Sequence, residues 1–230
     1  MPGVVVRVPL WVMTRSMLVA SILMLVSSAA AHAQVGLLPD EIERVDVIAI
    51  ERDGRDLFAF DALSGRRSAI RLEVDEEVFF ERSRGRIGLV LTNRRALAVA
   101  PGVGWQELRY RLNEGAPKVG LVDDRVALAV TGRRALGFLG RGIWVETRFS
   151  PQESAEALRV GSAAAVVATN RRALGLAPDL GRFVPTALQI REELESIRAE
   201  DTIVTLRTNR RILVFSAPRG IWTEQIRRIH

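Results

Sequence analysis

A dipeptide of Gly or Asn followed by Arg returns at near-constant spacing, and this repetition constrains the fold more than any other feature of the chain. The five copies lie about 39 residues apart, at Gly54-Arg55, Asn93-Arg94, Gly132-Arg133, Asn170-Arg171 and Asn209-Arg210. A fixed period of about 20 to 50 residues is typical of stacked supersecondary units. We therefore expect five copies of one small unit.

Two short apolar runs flank each dipeptide. In the second unit they are Ile87–Thr92 and Ala96–Val99, and the other units carry similar β-rich runs at the same places. Two such runs joined by a tight turn predict a β-hairpin. Asn and Gly accept a left-handed backbone at low cost, so the turns are expected to be of the primed type.

A third run follows a Pro/Gly loop in each unit and carries an aromatic residue. Trp105, Trp144, Phe183 and Trp222 recur at the same repeat spacing and are expected to pack between neighbouring units. Room remains for a fourth strand, and four strands in about 39 residues is the size of a propeller blade. The sequence thus predicts an all-β, five-bladed β-propeller of four-stranded repeats, with blades at about 40–75, 76–114, 115–152, 153–192 and 193–230.

Two stretches fit this frame less well. Gln189–Glu200 has an Ile/Leu spacing and a Glu/Arg content that read as helix when taken alone, and Ser154–Arg159 is similar. A helix could replace a loop or displace a strand there. The alternative fold is then a set of three-stranded units or a β-solenoid.

The first unit resembles a known family of repeats. Asp53-Gly54 and the run from Asp61 to Gly65, Asp-Ala-Leu-Ser-Gly, match the two turns of quinoprotein-type (PQQ-like) β-propeller repeats. The resemblance implies the blade fold. The metal and cofactor residues of quinone-dependent dehydrogenases have no counterparts here, so no cofactor is expected.

An export signal precedes the repeats. Ser16–Ala31 is an apolar run that follows Arg15 and ends in Ala31-His32-Ala33, a small-x-small cleavage site. The expected organisation is a signal peptide over 1–33 and one propeller domain over 34–230. Met13–Ala33 alone has the length of a signal peptide, which makes Met13 an alternative start. A periplasmic or secreted protein without a membrane span in its mature chain is predicted.

Charge and residue usage exclude several functions. Without Arg7 and Arg15 the 33 basic residues become 31 against 27 acidic ones, and this mild excess does not favour nucleic acid. The chain has no cysteine, and its two histidines are His32 and His230. Nucleophile systems that need imidazole or thiolate, and ordinary zinc sites, therefore lack their residues. An enzyme is the less expected class.

Carboxylate chemistry stays open as an alternative. Glu73, Asp75, Glu76 and Glu77 form one acidic cluster, and Asp123 and Asp124 form another. A pair of acids within about 5 to 10 Å could hydrolyse or eliminate at a glycosidic bond. Solvated turns and ion pairs with arginine are the structural interpretation of the same residues.

The recurring arginines are the candidate interaction face. In a propeller all five turns lie on one face and would present nine guanidiniums, those of Arg55, Arg94, Arg95, Arg133, Arg134, Arg171, Arg172, Arg210 and Arg211. Such a face suits an envelope protein, an acidic glycan or a lipid head group. The predicted function is a non-catalytic scaffold for protein interaction or envelope assembly. The alternatives are a lectin-like or anionic-ligand propeller, a carboxylate-dependent glycan enzyme, and structural pairing of each arginine with a neighbouring acid or carbonyl.

Overall fold

The computed structural model describes residues 45–117 and 119–227, and all of its regular structure is β-strand. The predicted signal peptide and the first residues of the predicted first blade lie outside the described residues. Residues 45–227 belong to one compact unit.

The described residues form nineteen strands in five antiparallel sheets in chain order, which are the five blades of a β-propeller. Blade 1 contains β1 (Ile48–Asp53), β2 (Asp56–Asp61) and β3 (Arg66–Arg71). Blade 2 contains β4 (Val78–Arg84), β5 (Ile87–Thr92), β6 (Arg95–Ala100) and β7 (Gly104–Arg109). Blade 3 contains β8 (Val119–Val122), β9 (Val126–Val130), β10 (Arg134–Leu139) and β11 (Ile143–Arg148). Blade 4 contains β12 (Ala155–Val160), β13 (Ala165–Thr169), β14 (Arg172–Leu176) and β15 (Val184–Ala187). Blade 5 contains β16 (Leu194–Ala199), β17 (Ile203–Thr208), β18 (Arg211–Ser216) and β19 (Ile221–Ile226).

Each blade is a meander of consecutive strands, so the predicted hairpins are present. Blade 1 has three strands within the described residues rather than the four that the repeat predicts. Its first strand corresponds in sequence to the second strand of the other blades, because Ile48 and Ile87 occupy the same position of the repeat. The helix-like segment Gln189–Glu200 holds a turn followed by β16, and Ser154–Arg159 falls largely within β12.

The core lies between consecutive blades. Leu57 and Leu72 of blade 1 meet Val90 and Leu97 of blade 2, and similar clusters join blades 2 with 3, 3 with 4 and 4 with 5. Every residue of β5 and β6 is buried, because blade 2 is covered on both faces. Alternating burial marks β2 and β18, so one face of blade 1 and one face of blade 5 are less covered.

The periodic aromatics lie at these interfaces, as their spacing predicts. Trp144 packs against Phe138 with ring centroids 5.0 Å apart, and its Nε1 donates to Gln106 O of blade 2 at 3.3 Å. Trp222 donates in the same way to Val184 O of blade 4 at 2.9 Å. The indole group of each thus ties its blade to the one before it.

Candidate functional site

The hairpin turns and the turns that connect consecutive blades lie at one end of the strands, which we call the turn face. It comprises the second-to-third-strand hairpins and four connecting turns, Glu73–Glu76, Arg111–Glu114, Ser150–Glu153 and Gln189–Glu192. The Asn93 side chain joins the two kinds of turn, because Glu77 N donates to its Oδ1 and its Nδ2 donates to Asp75 O, both at 3.1 Å. Asn170 and Asn209 make the same pair of bonds in blades 4 and 5.

These bonds correct the expected role of Asn and Gly in the hairpins. Of the five turn residues only Gly54 has a positive φ, of 59°. The left-handed residue lies instead in each connecting turn, at Asp75, Asn113, Gln152 and Arg191, with φ between 59° and 63°. Asparagine recurs in the hairpins because its side chain forms hydrogen bonds with the connecting turn.

The second arginine of each hairpin in blades 2 to 5 belongs to an ion-pair network. Arg95 Nε donates to Glu76 Oε1 at 2.9 Å, and Arg95 Nη2 donates to Arg71 O of blade 1 at 2.8 Å. The Thr92 hydroxyl donates to Glu76 Oε1 at 2.8 Å and accepts the Arg95 N–H at 3.0 Å. The same Glu, Thr and Arg recur as Glu114, Thr131 and Arg134, as Glu153, Thr169 and Arg172, and as Glu192, Thr208 and Arg211.

Burial and hydrogen bonding act in opposite directions on these glutamates. Burial alone would raise the pKa of Glu76, but donors from Arg95, Glu73 N and Thr92 outweigh it and hold the pKa below its ordinary value. The pKa values of Glu114, Glu153 and Glu192 are lowered by the same balance. All four glutamates are therefore ionised partners of arginines, which is unsuited to general-acid chemistry.

The sequence pattern did not single out these glutamates as a repeated set. The signal is present, since Glu76, Glu114, Glu153 and Glu192 recur with the period of the other repeated residues. Each also stands 16 or 17 residues before the Thr that ends, or in blade 3 directly follows, the second strand of its blade. A repeated acid, hydroxyl and guanidinium at fixed spacing indicates a buried network that the duplication of the unit has copied.

The first arginine of each hairpin has a different environment. Arg94 Nη1 binds Glu73 Oε2 at 3.1 Å, and Arg210 Nη1 binds Gln189 Oε1 at 3.2 Å. Arg171 makes a long contact of 3.5 Å to Gln152, while Arg55 donates to Leu72 O. The Arg133 side chain is exposed and has no acceptor among the described residues. The nine arginines predicted as one face thus divide into four that hold blades together and five at or near the surface.

Apolar side chains stand beside these arginines. The second residue of each connecting turn is apolar and exposed: Val74 is 64% exposed, Leu112 92% and Ile190 87%, and Pro151 is exposed as well. Four equivalent positions therefore place an apolar tip in water on the same face. Singly exposed apolar side chains are common on protein surfaces, and it is their recurrence at four equivalent turns that marks this face as the candidate contact surface.

The two acidic clusters proposed for glycan chemistry lie at opposite ends of the strands. Glu73 and Glu76 are ion-paired on the turn face. Asp123 pairs with Arg84 at 3.3 Å at the opposite end of the strands, beside Asp124 in the β8–β9 turn. Over residues 45–117 and 119–227, no group of three or more Asp, Glu, His or Cys could hold a metal ion.

A cavity of about 600 Å³ opens on the turn face at the hairpin of blade 3. The blade 3 hairpin and both adjoining connecting turns form its wall. The lining residues are Arg111, Leu112, Glu114, Gly132, Arg133, Arg134, Arg148, Phe149, Ser150, Pro151, Gln152 and Glu153. The volume falls within the range of small-molecule sites. The part of the chain that the structure describes contains no helix long and apolar enough to cross a membrane.

Comparisons with known proteins give distant likenesses to solved structures and no family. No family model and no curated protein matches the chain. Among solved structures, Prp20p of Saccharomyces cerevisiae is 10% identical over 78% of this chain and 58% of its own, with a TM-score of 0.41. Hsv2 of Kluyveromyces lactis is 8% identical over 75% and 58%, with a TM-score of 0.39. The Pan2 WD40 domain of Neurospora crassa is 14% identical over 81% and 67%, with a TM-score of 0.32. The chain thus spans little more than half the length of the first two, and at these TM-scores the likeness carries no argument about fold or function.

Proposed function

We propose that this chain is an exported, non-catalytic β-propeller that acts as a scaffold for protein interaction in the cell envelope, and that the turn face is its binding surface. The observation that carries the proposal is the set of exposed apolar residues Val74, Leu112, Pro151 and Ile190, which share the turn face with the exposed arginines of the hairpins. A partner that presents apolar groups ringed by acids would be complementary to it.

The buried networks support the same proposal. Arg95, Arg134, Arg172 and Arg211 each donate to a backbone carbonyl of the preceding blade and to a glutamate of their own connecting turn. The exposed apolar residues therefore stand on connecting turns that these hydrogen bonds hold to the blades. A surface that is ordered before binding loses less conformational entropy when a partner docks.

Export remains part of the proposal and depends on the sequence. The apolar run before Ala33 supports it, since cleavage there would release a chain that begins at Gln34. Determination of the amino-terminal sequence of the protein purified from the periplasm of its own cells is expected to give Gln34. An uncleaved chain in the cytoplasm would contradict export and leave the interaction surface unaffected.

Kinship with quinoprotein-type repeats is proposed for the blade alone, on the two turns of blade 1 at Asp53-Gly54 and Asp61–Gly65. It includes no cofactor. A carboxylate-dependent enzyme is not favoured, because Glu73, Glu76 and Asp123 are ion-paired with arginines and the two acidic clusters lie at opposite ends of the strands.

The binding surface can be tested by placing a photo-crosslinking amino acid at Leu112 or Ile190 in the native host. The matched control position is Leu63, which is 65% exposed at the opposite end of the strands. One defined envelope protein should be captured from both turn-face positions and not from Leu63. Changing Arg94, Arg133, Arg171 and Arg210 together to Ala should abolish that capture. Equal capture from Leu63, or no capture from either tip, would contradict the proposed surface.

A further inference from the structure

Blade 3 differs from blade 2 at the first residue of the connecting turn, where blade 2 has an acid that pairs with two arginines of the turn face. In blade 2 the first residue of the connecting turn is Glu73, which binds both Arg94 and Arg109. The residues at the three corresponding positions of the blade 3 repeat are Arg111, Arg133 and Arg148. A third arginine thus replaces the carboxylate that bridges two arginines in the equivalent blade.

The three guanidiniums of blade 3 line one cavity and lack a shared acid. Arg111 turns to Glu146, a carboxylate that Arg134 also binds. Arg133 and Arg148 have no side-chain acceptor among the described residues, and both are exposed. The carboxylates in the wall, Glu114 and Glu153, are held by Arg134 and Arg172. The cavity therefore carries an excess of positive charge.

A second substitution leaves room for a ligand at the same place. Blades 2, 4 and 5 have Asn in the hairpin, and its side chain fills the gap to the connecting turn. Blade 3 has Gly132 there, so this bridge is missing beside Arg133. The result is a cavity of about 600 Å³ whose mouth is flanked by the apolar tip Leu112.

We infer that this cavity binds a phosphate group, which takes the place of the Glu73 carboxylate between Arg133 and Arg148. The geometry of blade 2 shows that arginines at these two positions can reach one oxyanion, since Arg94 lies 3.1 Å from Glu73 and Arg109 lies 2.5 Å from it. Guanidinium groups pair with phosphate through two parallel hydrogen bonds. The two guanidiniums without an acid partner, Arg133 and Arg148, match the double charge of a phosphate monoester better than the single charge of a carboxylate. This inference does not depend on the proposed protein partner.

Calorimetric titration with inorganic pyrophosphate at low salt tests the site, and vesicles with and without phosphatidic acid test the lipid form of the same group. Arg133→Ala and Arg148→Ala should each weaken binding at least tenfold. Arg111→Glu restores the pattern of blade 2 and should abolish binding while the melting temperature is maintained. Arg210→Ala removes an equivalent arginine of blade 5 and is the matched control, for which wild-type affinity is expected.

Each result has a defined meaning. Binding of pyrophosphate in solution that is lost in Arg111→Glu supports a soluble phosphate ester as the ligand. Binding only to vesicles that contain phosphatidic acid, again lost in Arg111→Glu, supports a lipid head group. The inference would be overturned if neither probe binds or if Arg111→Glu binds as the wild type does. An equal loss of affinity in Arg210→Ala would also overturn it, because binding would then depend on the total positive charge of the face and not on this cavity.

Discussion

At the scale of single residues, the repeated Glu, Thr and Arg networks explain how the chain can place arginines in the interior at one end of blades 2 to 5. The Arg134 side chain is 3% exposed and the Glu114 side chain 1% exposed. A charge so placed is costly unless paired, and every donor must find an acceptor. Three acceptors meet that demand for Arg134. They are the carboxylates of Glu114 and Glu146 and the backbone carbonyl of Arg109.

Removing one glutamate tests the strength of this coupling. Glu114→Ala should lower the free energy of unfolding by about 3 to 5 kcal/mol, because it leaves the buried Arg134 without its main partner. Glu153→Ala is the matched variant and should cost less, since the Arg172 side chain is 25% exposed and can be hydrated. Urea denaturation of both variants measures the difference. A small and equal effect would show that neither network stabilises the fold.

The periodic tryptophans offer a second comparison between equivalent residues. Trp222 Nε1 donates to Val184 O at 2.9 Å, whereas Trp105 Nε1 is buried and has no acceptor among the described residues. Trp222→Phe should therefore lose about 1 kcal/mol more stability than Trp105→Phe, because only the former breaks a hydrogen bond. Thermal or urea unfolding of the two variants gives the comparison. A larger loss at Trp105 would mean that its indole N–H is satisfied in solution.

At the scale of strands, glycines set how closely neighbouring blades approach. A Cβ built on Gly175 of β14 would lie 2.6 Å from the Phe215 ring of blade 5, well inside normal contact. Gly175→Ala is thus expected to overpack this interface and to cost about 1 to 3 kcal/mol of stability. Ala69 on β3 is exposed, so Ala69→Val serves as a control with no such contact. Stability unchanged by Gly175→Ala would show that the blades can separate without penalty.

The strand content was largely predictable because five copies share the same pattern. Segments read singly were less secure, as Gln189–Glu200 shows. Its Ile/Leu spacing suits a helix, but the structure uses Leu194, Ile197 and Ala199 of this stretch to cover the cluster between blades 4 and 5. Tertiary packing here overrides local propensity. The role of the hairpin Asn residues could not be predicted from the local sequence either, because it depends on a connecting turn 16 to 18 residues away.

At the scale of the whole molecule, the turn face shows what a sequence pattern alone cannot separate. Adjacent arginines such as Arg94 and Arg95 are equivalent in the sequence, yet alternate strand positions send one toward Glu73 at the surface and the other into the interior. The cavity of blade 3 depends on Arg111, Arg133 and Arg148, which are distant in sequence. The structure places these three arginines around one cavity. That placement shows an excess of positive charge which the sequence alone does not distinguish from arginines paired with acids.

The four networks together should make the stability of the propeller depend on acid. Each buried glutamate has a folded pKa below the ordinary value of about 4.3, so the unfolded chain takes up protons first as pH falls. The free energy of unfolding should therefore be nearly constant from pH 7 to about 5 and decline below about pH 4.

Urea titrations at several pH values measure this dependence, and Glu192→Gln provides its control. Removal of one of the four glutamates should make the acid limb shallower by at most one proton, which is about 1.4 kcal/mol per pH unit. The slope is the informative quantity, since the substitution also lowers stability at neutral pH by leaving Arg211 less well paired. Stability that persists unchanged to pH 3, or a variant slope equal to that of the wild type, would contradict a set of ionised glutamates as the common support of the turn face.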